Sequence, residues 1–181
     1  VVNNGNRSTV NLTLGNNNQT STFSGLTKNN NNNGVDNSGT GTLALTKTGT
    51  GVLTLGGADS YTGATTISQG TLAVNGSLAA GSAISVGGGT TLGGYGTVTG
   101  LVTVAHTGII TSWSSATTNL NLTGGLTFSG TATVTAPNLT AGIRPGPAIG
   151  GPGPPTVTAR RSSGPDHAPP GTRLWTAGRP P

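Results

Sequence analysis

Residues 45–78 read LTKTGTGVLTLGGADSYTGATTISQGTLAVNGSL, and the pattern of this stretch decides the fold class. Short runs at 52–55 and 71–74 alternate apolar with polar residues, which is the period of a β-strand. Glycine, asparagine or serine stands between the runs, and these residues favour turns. The stretch therefore predicts short strands joined by tight turns.

The same pattern continues on both sides of this stretch. Strand starts recur roughly every 8–12 residues, as in all-β domains, and no apolar stripe has helical spacing. The strands predicted in this way are 9–14, 20–27, 42–45, 52–55, 65–67, 71–74, 83–86, 97–99, 102–104, 109–111, 119–122, 126–128 and 132–134.

An internal recurrence separates the possible β architectures. GTLALT at 41–46 returns as GTLAVN at 70–75, 29 residues later, and more loosely as GLVTVA at 100–105. Such recurrence predicts a solenoid, in which each turn points its Leu, Val and Ile inward and the next turn stacks on it. A β-sandwich is the alternative, but it more often needs bulky inward aromatics and longer strands.

The chain divides into three zones by composition. Residues 1–40 form an Asn-rich β segment, which supplies the first coils of the solenoid if the pattern is continuous. Residues 41–142 form the β-helix repeat region. Residues 143–181 hold ten of the 11 Pro and a surplus of Arg, so we expect a disordered Pro/Gly/Arg-rich tail. The abrupt change of composition also suggests an out-of-frame reading of this tail.

Composition and charge argue against several function classes. Charged residues make up 6% of the chain, Cys is absent, and there are only three acidic residues and two His, which is few for an enzyme or a metal site. Residues 1–142 carry a net charge of only +1, so we expect no nucleic-acid partner. No apolar run approaches the roughly 20 residues of a membrane helix. Residues 1–4 show no export leader, so we expect a segment of a longer protein.

The central stretch resembles a known family at many positions. The matching elements are LTK at 45–47, GTG at 49–51, LTL at 53–55, YTG at 61–63, TTI at 65–67 and GTL at 70–72. These residues resemble the autotransporter-associated β-strand repeat, also called the passenger-associated transport repeat. Asp59 and Ser60 stand where the family usually has Asn-Thr. The resemblance covers roughly 41–135 and weakens after Ala105.

The resemblance implies a right-handed parallel β-helix in the secreted passenger of a type V secretion protein. Such a passenger crosses the outer membrane through a translocator barrel in the parent protein, and the repeat assists secretion without being catalytic. We therefore expect a non-enzymatic stalk and export-assisting scaffold, secreted or on the bacterial cell surface. The alternative is an adhesin segment that binds a glycan or host surface through the solenoid face. A polysaccharide-active β-helix enzyme ranks last, because residues 1–142 offer only two carboxylates.

The sequence predicts no catalytic, cofactor-binding or metal-binding residues, and no cofactor. His106 with Asp59 and a serine could form a triad, but the spacing favours a structural histidine. Tyr61 and Tyr95 could form a sugar-binding platform, although corner packing is favoured. Trp113 is either a capping residue or an exposed contact. The tail arginines, such as Arg160, could bind polyanions, but a solvated tail is the preferred interpretation.

Overall fold

The computed structural model describes residues 9–29, 41–113, 119–135, 140–144, 157–160 and 173–175. In this part of the chain every regular element is a β-strand. In chain order the strands are β1 (Val10–Leu14), β2 (Ser21–Phe23), β3 (Leu43–Lys47), β4 (Val52–Leu55), β5 (Ala58–Asp59), β6 (Thr65–Ile67), β7 (Thr71–Val74), β8 (Ser77–Leu78), β9 (Ile84–Val86), β10 (Thr91–Gly94), β11 (Thr97–Val98), β12 (Val102–Ala105), β13 (Ile109–Thr111), β14 (Asn121–Ser129), β15 (Ala132–Thr135), β16 (Thr140–Arg144), β17 (Val157–Arg160) and β18 (Arg173–Trp175).

The strands form three sides of a parallel stack. The first side contains β1, β3, β6, β9 and β12, the second contains β2, β4, β7, β10, β13 and β15, and the third contains β5, β8 and β11. Strand β14 joins two sides, because residues 121–122 pair with β11 and residues 126–129 pair with β12. The chain thus makes about four turns: turn 1 (β3–β5), turn 2 (β6–β8), turn 3 (β9–β11) and turn 4 (β12 to the start of β14). The prediction of an all-β solenoid is confirmed.

Inward side chains from successive turns form columns in register. On the second side the column is aliphatic from β4 to β15, and every member there is at most 5% exposed. Its members are Leu53, Leu72, Leu92, Ile110 and Val134. Neighbouring strands are about 4.8 Å apart, so each side chain packs directly on the one below. Burial of each such side chain contributes roughly 1.5–3 kcal/mol, which makes these columns the main source of stability.

The length of a turn differs from the recurrence seen in the sequence. Leu53 pairs with Leu72, nineteen residues later, and Leu72 pairs with Leu92 after twenty. The recurrent segments 41–46 and 70–75 therefore lie on different sides, in β3 and β7. The 29-residue recurrence spans about one and a half turns and is not the stacking unit. The two strands look alike because every side of the solenoid imposes the same alternation of inward and outward residues.

Glycines allow the sharp corner between the first and second sides. Gly49 and Gly70 have φ values of +67° and +65°, a conformation that other residues adopt only with strain. A Cβ on Gly49 would come within 1.9 Å of the carbonyl oxygen of Gly15, and one on Gly70 within 2.5 Å of the carbonyl oxygen of Gly49. The corner thus requires glycine for both its backbone angle and its close stacking.

Asparagine side chains of the first zone bond to the backbone of turn 1. Asn18 Oδ1 accepts a hydrogen bond from Thr50 N at 3.0 Å. Asn29 Oδ1 accepts from Leu43 N at 3.0 Å and from Thr62 N at 3.1 Å. These bonds cover N–H groups at the beginning of the stack. Residues 30–40, which follow Asn29, lie outside the described residues.

Some predicted elements differ from the observed ones. Strands β5, β8 and β10 were not predicted, because two residues give no alternation and β10 ends in two glycines. The predicted strands 119–122 and 126–128 form the single strand β14. Most of the predicted tail, 143–181, lies outside the described residues. In the parts that the structure does describe, the backbone of β16 pairs with β14, that of β17 with β15, and that of β18 with β17. Disorder of this tail stays a prediction.

Candidate functional site

Lys47 points into the solenoid instead of toward solvent. It is 1% exposed and occupies a column whose other members include Leu14 and Ile67. Its Nζ donates to the carbonyl oxygens of Thr48 at 2.6 Å and Gly49 at 2.7 Å. It also donates, more weakly, to a third backbone carbonyl oxygen, which lies on turn 2. Burial lowers the pKa of the Lys47 ammonium group. The cation thus holds a corner of the backbone together and is not available to a ligand.

Asp59 is also inward and buried, at 3% exposure. It begins a column that continues with Leu78 and Val98. Its Oδ1 accepts hydrogen bonds from the backbone N–H of Thr27 at 2.7 Å and from the Thr27 hydroxyl at 2.5 Å. Its Oδ2 has no hydrogen-bond partner within the described part of the chain. The carboxylate therefore fixes the segment before turn 1, rather than standing ready for catalysis or for a cation.

A short chain of hydroxyl groups crosses the core next to Asp59. Tyr61 OH lies 2.7 Å from Thr65 Oγ1, which lies 2.8 Å from Ser82 Oγ. None of the three residues is exposed to solvent. Burial is the largest influence on Tyr61 and raises the pKa of its phenol. The three hydroxyls satisfy one another's hydrogen-bonding capacity. This hydrogen-bonded series therefore joins turn 1 to turn 2 without a ligand.

The structure does not bring the candidate triad together. Asp59 lies in turn 1, whereas His106 follows β12 in turn 4. Three turns separate them, which is roughly 14 Å along the axis. His106 is exposed, while Asp59 is buried. In the described ranges no group of three or more His, Cys, Asp or Glu could hold a metal ion. The ranges that the structure describes contain no helix with the length and apolar character that crossing a membrane requires.

Tyr61 and Tyr95 do not form the sugar-binding platform that was the less favoured alternative, because Tyr61 is in the core. Tyr95 is 44% exposed and lies beyond the end of β10. Trp113, left open as a cap or an exposed contact, is 42% exposed. A Cβ on Gly93 would come within 3.1 Å of Cε2 of Trp113, so the indole lies against the glycine backbone. The exposed aromatic partner of Tyr95 along the stack is therefore Trp113.

The outer surface of the first side carries an unbroken row of hydroxyl residues, here called the hydroxyl row. Its members are in register on six consecutive strands: Thr13, Thr46, Thr66, Ser85, Thr103 and Thr127. Thr46 donates to Asn11 Oδ1 at 3.0 Å. The other five hydroxyls face solvent or lie partly exposed, with no hydrogen bond to the described part of the protein. The row repeats at about 4.8 Å, the spacing of strands.

The comparison with protein families singles out the part of the stack that holds Lys47, Asp59 and Tyr61. Residues 45–74 match the family model described as Passenger-associated-transport-repeat. This segment is similar to a passenger-associated transport repeat and is called the transport repeat below. The transport repeat runs from the middle of β3 to the end of β7, about one and a half turns. No curated protein and no solved structure matches the chain.

The transport repeat contains interior polar groups that the sequence analysis did not assign. Lys47 continues the alternation of Leu43 and Leu45, so its inward position was readable from the sequence. Asp59 gave no such signal, since its strand has two residues and its partner Thr27 lies 32 positions earlier. Both residues stabilise contacts between turns. The buried polar residues of the transport repeat thus contribute to the stacking of turns.

Proposed function

We propose that this chain is a structural segment of the passenger of a secreted or surface-exposed bacterial autotransporter-like protein. In this role it forms a stalk and assists export, and the parent protein carries an outer-membrane translocator. The proposal includes no enzymatic activity and no cofactor. The observation that supports it most directly is the transport repeat at 45–74 inside a parallel stack of about four turns.

The physical basis of the export role is stepwise folding. Each turn contacts only its neighbours, so a turn can form as soon as the adjacent turn has left the membrane. Each completed turn buries aliphatic side chains such as Leu72 and Leu92, which makes return through a pore unfavourable. Between residues 41 and 135 only Lys47 and Asp59 are charged, so few charges have to be moved across.

The test is a surface-display assay with the full chain placed between a signal peptide and a translocator domain. An epitope at the chain's N-terminus reports export through its protease accessibility on intact cells after pulse labelling. Ile67→Asp puts a charge into the core, whereas Thr66→Asp puts the same charge on the exposed side of β6. We expect slower exposure of the epitope for Ile67→Asp and normal exposure for Thr66→Asp. Equal rates for the two variants would contradict the export role.

The hydroxyl row favours a second candidate function, an adhesin segment that binds a glycan or host surface. Five free hydroxyls at regular spacing offer both donors and acceptors to a polar surface. The measurement is binding of the labelled full chain to host cells and to immobilised glycans. Saturable binding that is weakened by Thr66→Val and Thr103→Val supports this candidate. Binding that the two valine variants leave unchanged removes the row from consideration.

A further inference from the structure

Two exposed aromatic side chains occupy equivalent positions on consecutive turns. Tyr95 N donates to Val74 O at 3.1 Å, and Trp113 N donates to Gly94 O at 3.0 Å. Gly94 itself pairs with Val74, so Tyr95 and Trp113 follow the same point of the second side in turns 3 and 4. Their backbones are therefore one strand spacing apart, about 4.8 Å. Among the described side chains, no other aromatic residue belongs to the exposed large hydrophobic ones.

The indole of Trp113 rests on the backbone of Gly93. Cε2 and Nε1 would lie 3.1 and 3.2 Å from a Cβ on Gly93, which places the ring against the backbone there. Because Gly93 has no side chain, the ring rests close to the sheet. The 42% exposure of Trp113 therefore belongs to the parts of the indole turned away from Gly93. A ring held from beneath presents a fixed apolar surface with little entropy to lose on binding.

Two polar groups lie beside this surface. The Nε1–H of Trp113 and the hydroxyl of Thr111 make no hydrogen bond to the described residues. Thr111 Cγ2 would lie 3.0 Å from the same Cβ on Gly93, so the hydroxyl-bearing side chain is next to the indole. The nearest described residues are all neutral, and Lys47 and Asp59 are buried elsewhere. The four surface residues thus carry no charge themselves, and the next charged position in register on this side is Arg160, two strands beyond Thr111.

We propose that Tyr95 and Trp113, with Gly93 and Thr111, form a binding site for the pyranose ring of a neutral sugar. The C–H-bearing face of such a ring is apolar and packs on an aromatic surface, while its hydroxyls bond to Nε1 of Trp113 and to Thr111. The proposal goes beyond the scaffold role and does not depend on the hydroxyl row, which lies on a different side.

A purely structural role for the aromatic pair gives a different outcome. An aromatic side chain over a glycine also stabilises a strand by covering its backbone. In that case replacing Trp113 lowers stability and no sugar binds. The experiment therefore needs a binding signal from Trp113 itself and a variant that displaces the indole without removing an aromatic ring.

The test uses the full chain with Trp175→Phe, which leaves Trp113 as the only tryptophan. Neutral oligosaccharides of glucose, mannose or galactose are titrated while tryptophan emission and calorimetric heat are recorded, with a sulfated polysaccharide as the charged comparison. We expect at least one neutral oligosaccharide to bind saturably. Tyr95→Ala should weaken binding roughly tenfold, which matches the loss of one aromatic contact. Gly93→Ala should weaken it as well, because the added Cβ pushes the indole outward.

The control is Ser60→Ala, an exposed position just beyond β5 in turn 1 and outside the hydroxyl row, which should bind as tightly as the parent chain. Far-UV circular dichroism establishes that each variant is folded. The proposal is overturned if no neutral oligosaccharide binds at about 10 mM, where even weak sugar sites fill. It is equally overturned if binding survives Tyr95→Ala and Gly93→Ala, or if the sulfated polysaccharide alone binds.

Discussion

Leu72 sits in the middle of the second-side column, between Leu53 and Leu92, and is fully buried. Leu72→Ala removes three carbon groups from the core, worth roughly 2.4 kcal/mol in transfer free energy at about 0.8 kcal/mol each. The cavity adds to this cost if the surroundings cannot close on it. Strands β4 and β10 are held at ladder spacing by hydrogen bonds on both sides of β7, so closure is restricted. We expect a total loss of about 4 kcal/mol in the free energy of unfolding.

The assay for this prediction is urea unfolding of the full chain, followed by far-UV circular dichroism. The matched control is Thr66→Ala, an exposed substitution that should change the free energy of unfolding by no more than about 0.5 kcal/mol. A loss of about 4 kcal/mol is a large share of the 5–15 kcal/mol typical of a domain. If Leu72→Ala costs less than about 1 kcal/mol, the column is not a packed core and the solenoid interpretation of stability is refuted.

Three further predictions concern the corners and the buried polar groups. The stability of the parent chain should fall above pH 10, because the raised pKa lets the Tyr61 phenol keep its proton in the folded state while the unfolded state loses it. Tyr61→Phe should weaken this fall, which urea unfolding midpoints measured against pH would show. Lys47→Met should remove a rise of stability with pH just below 10.5, where the unfolded lysine binds more protons than the folded one; the same series tests it. Gly49→Ala should cost several times the roughly 1 kcal/mol of Gly89→Ala, because both have positive φ but only Gly49 would strike backbone; thermal unfolding compares them.

The sequence was sufficient to predict the fold class, because alternation of apolar and polar residues is a local property. Strands such as β4 and β7 were predicted with their observed bounds. The stacking partner of each strand was not predictable in the same way. It depends on the lengths of the corners, and the recurrence of 29 residues matched two strands that lie on different sides. Similar local sequence therefore did not mean a stacked position.

The candidate surface was predicted only in part. Corner packing was the favoured prediction for Tyr61 and Tyr95. Tyr61 is in the core, where Thr65 satisfies its hydroxyl, whereas Tyr95 is 44% exposed. Trp113 follows Tyr95 by eighteen positions, a separation that has meaning only once the length of that turn is known. The burial of Asp59 was likewise hidden, since it depends on Thr27 from an earlier coil.

The ladder geometry also has a mechanical consequence. One turn adds about 4.8 Å to the height of the stack, yet a turn of nineteen residues stretched out spans roughly 65 Å. Tension applied to one end of the polypeptide would load a single terminal coil at a time, as in unzipping. Each coil that detaches would add a length of extended chain more than ten times the stack height lost with it. A tether of this kind would yield in steps and re-form in steps, so that it damps sudden pulling instead of snapping as one unit.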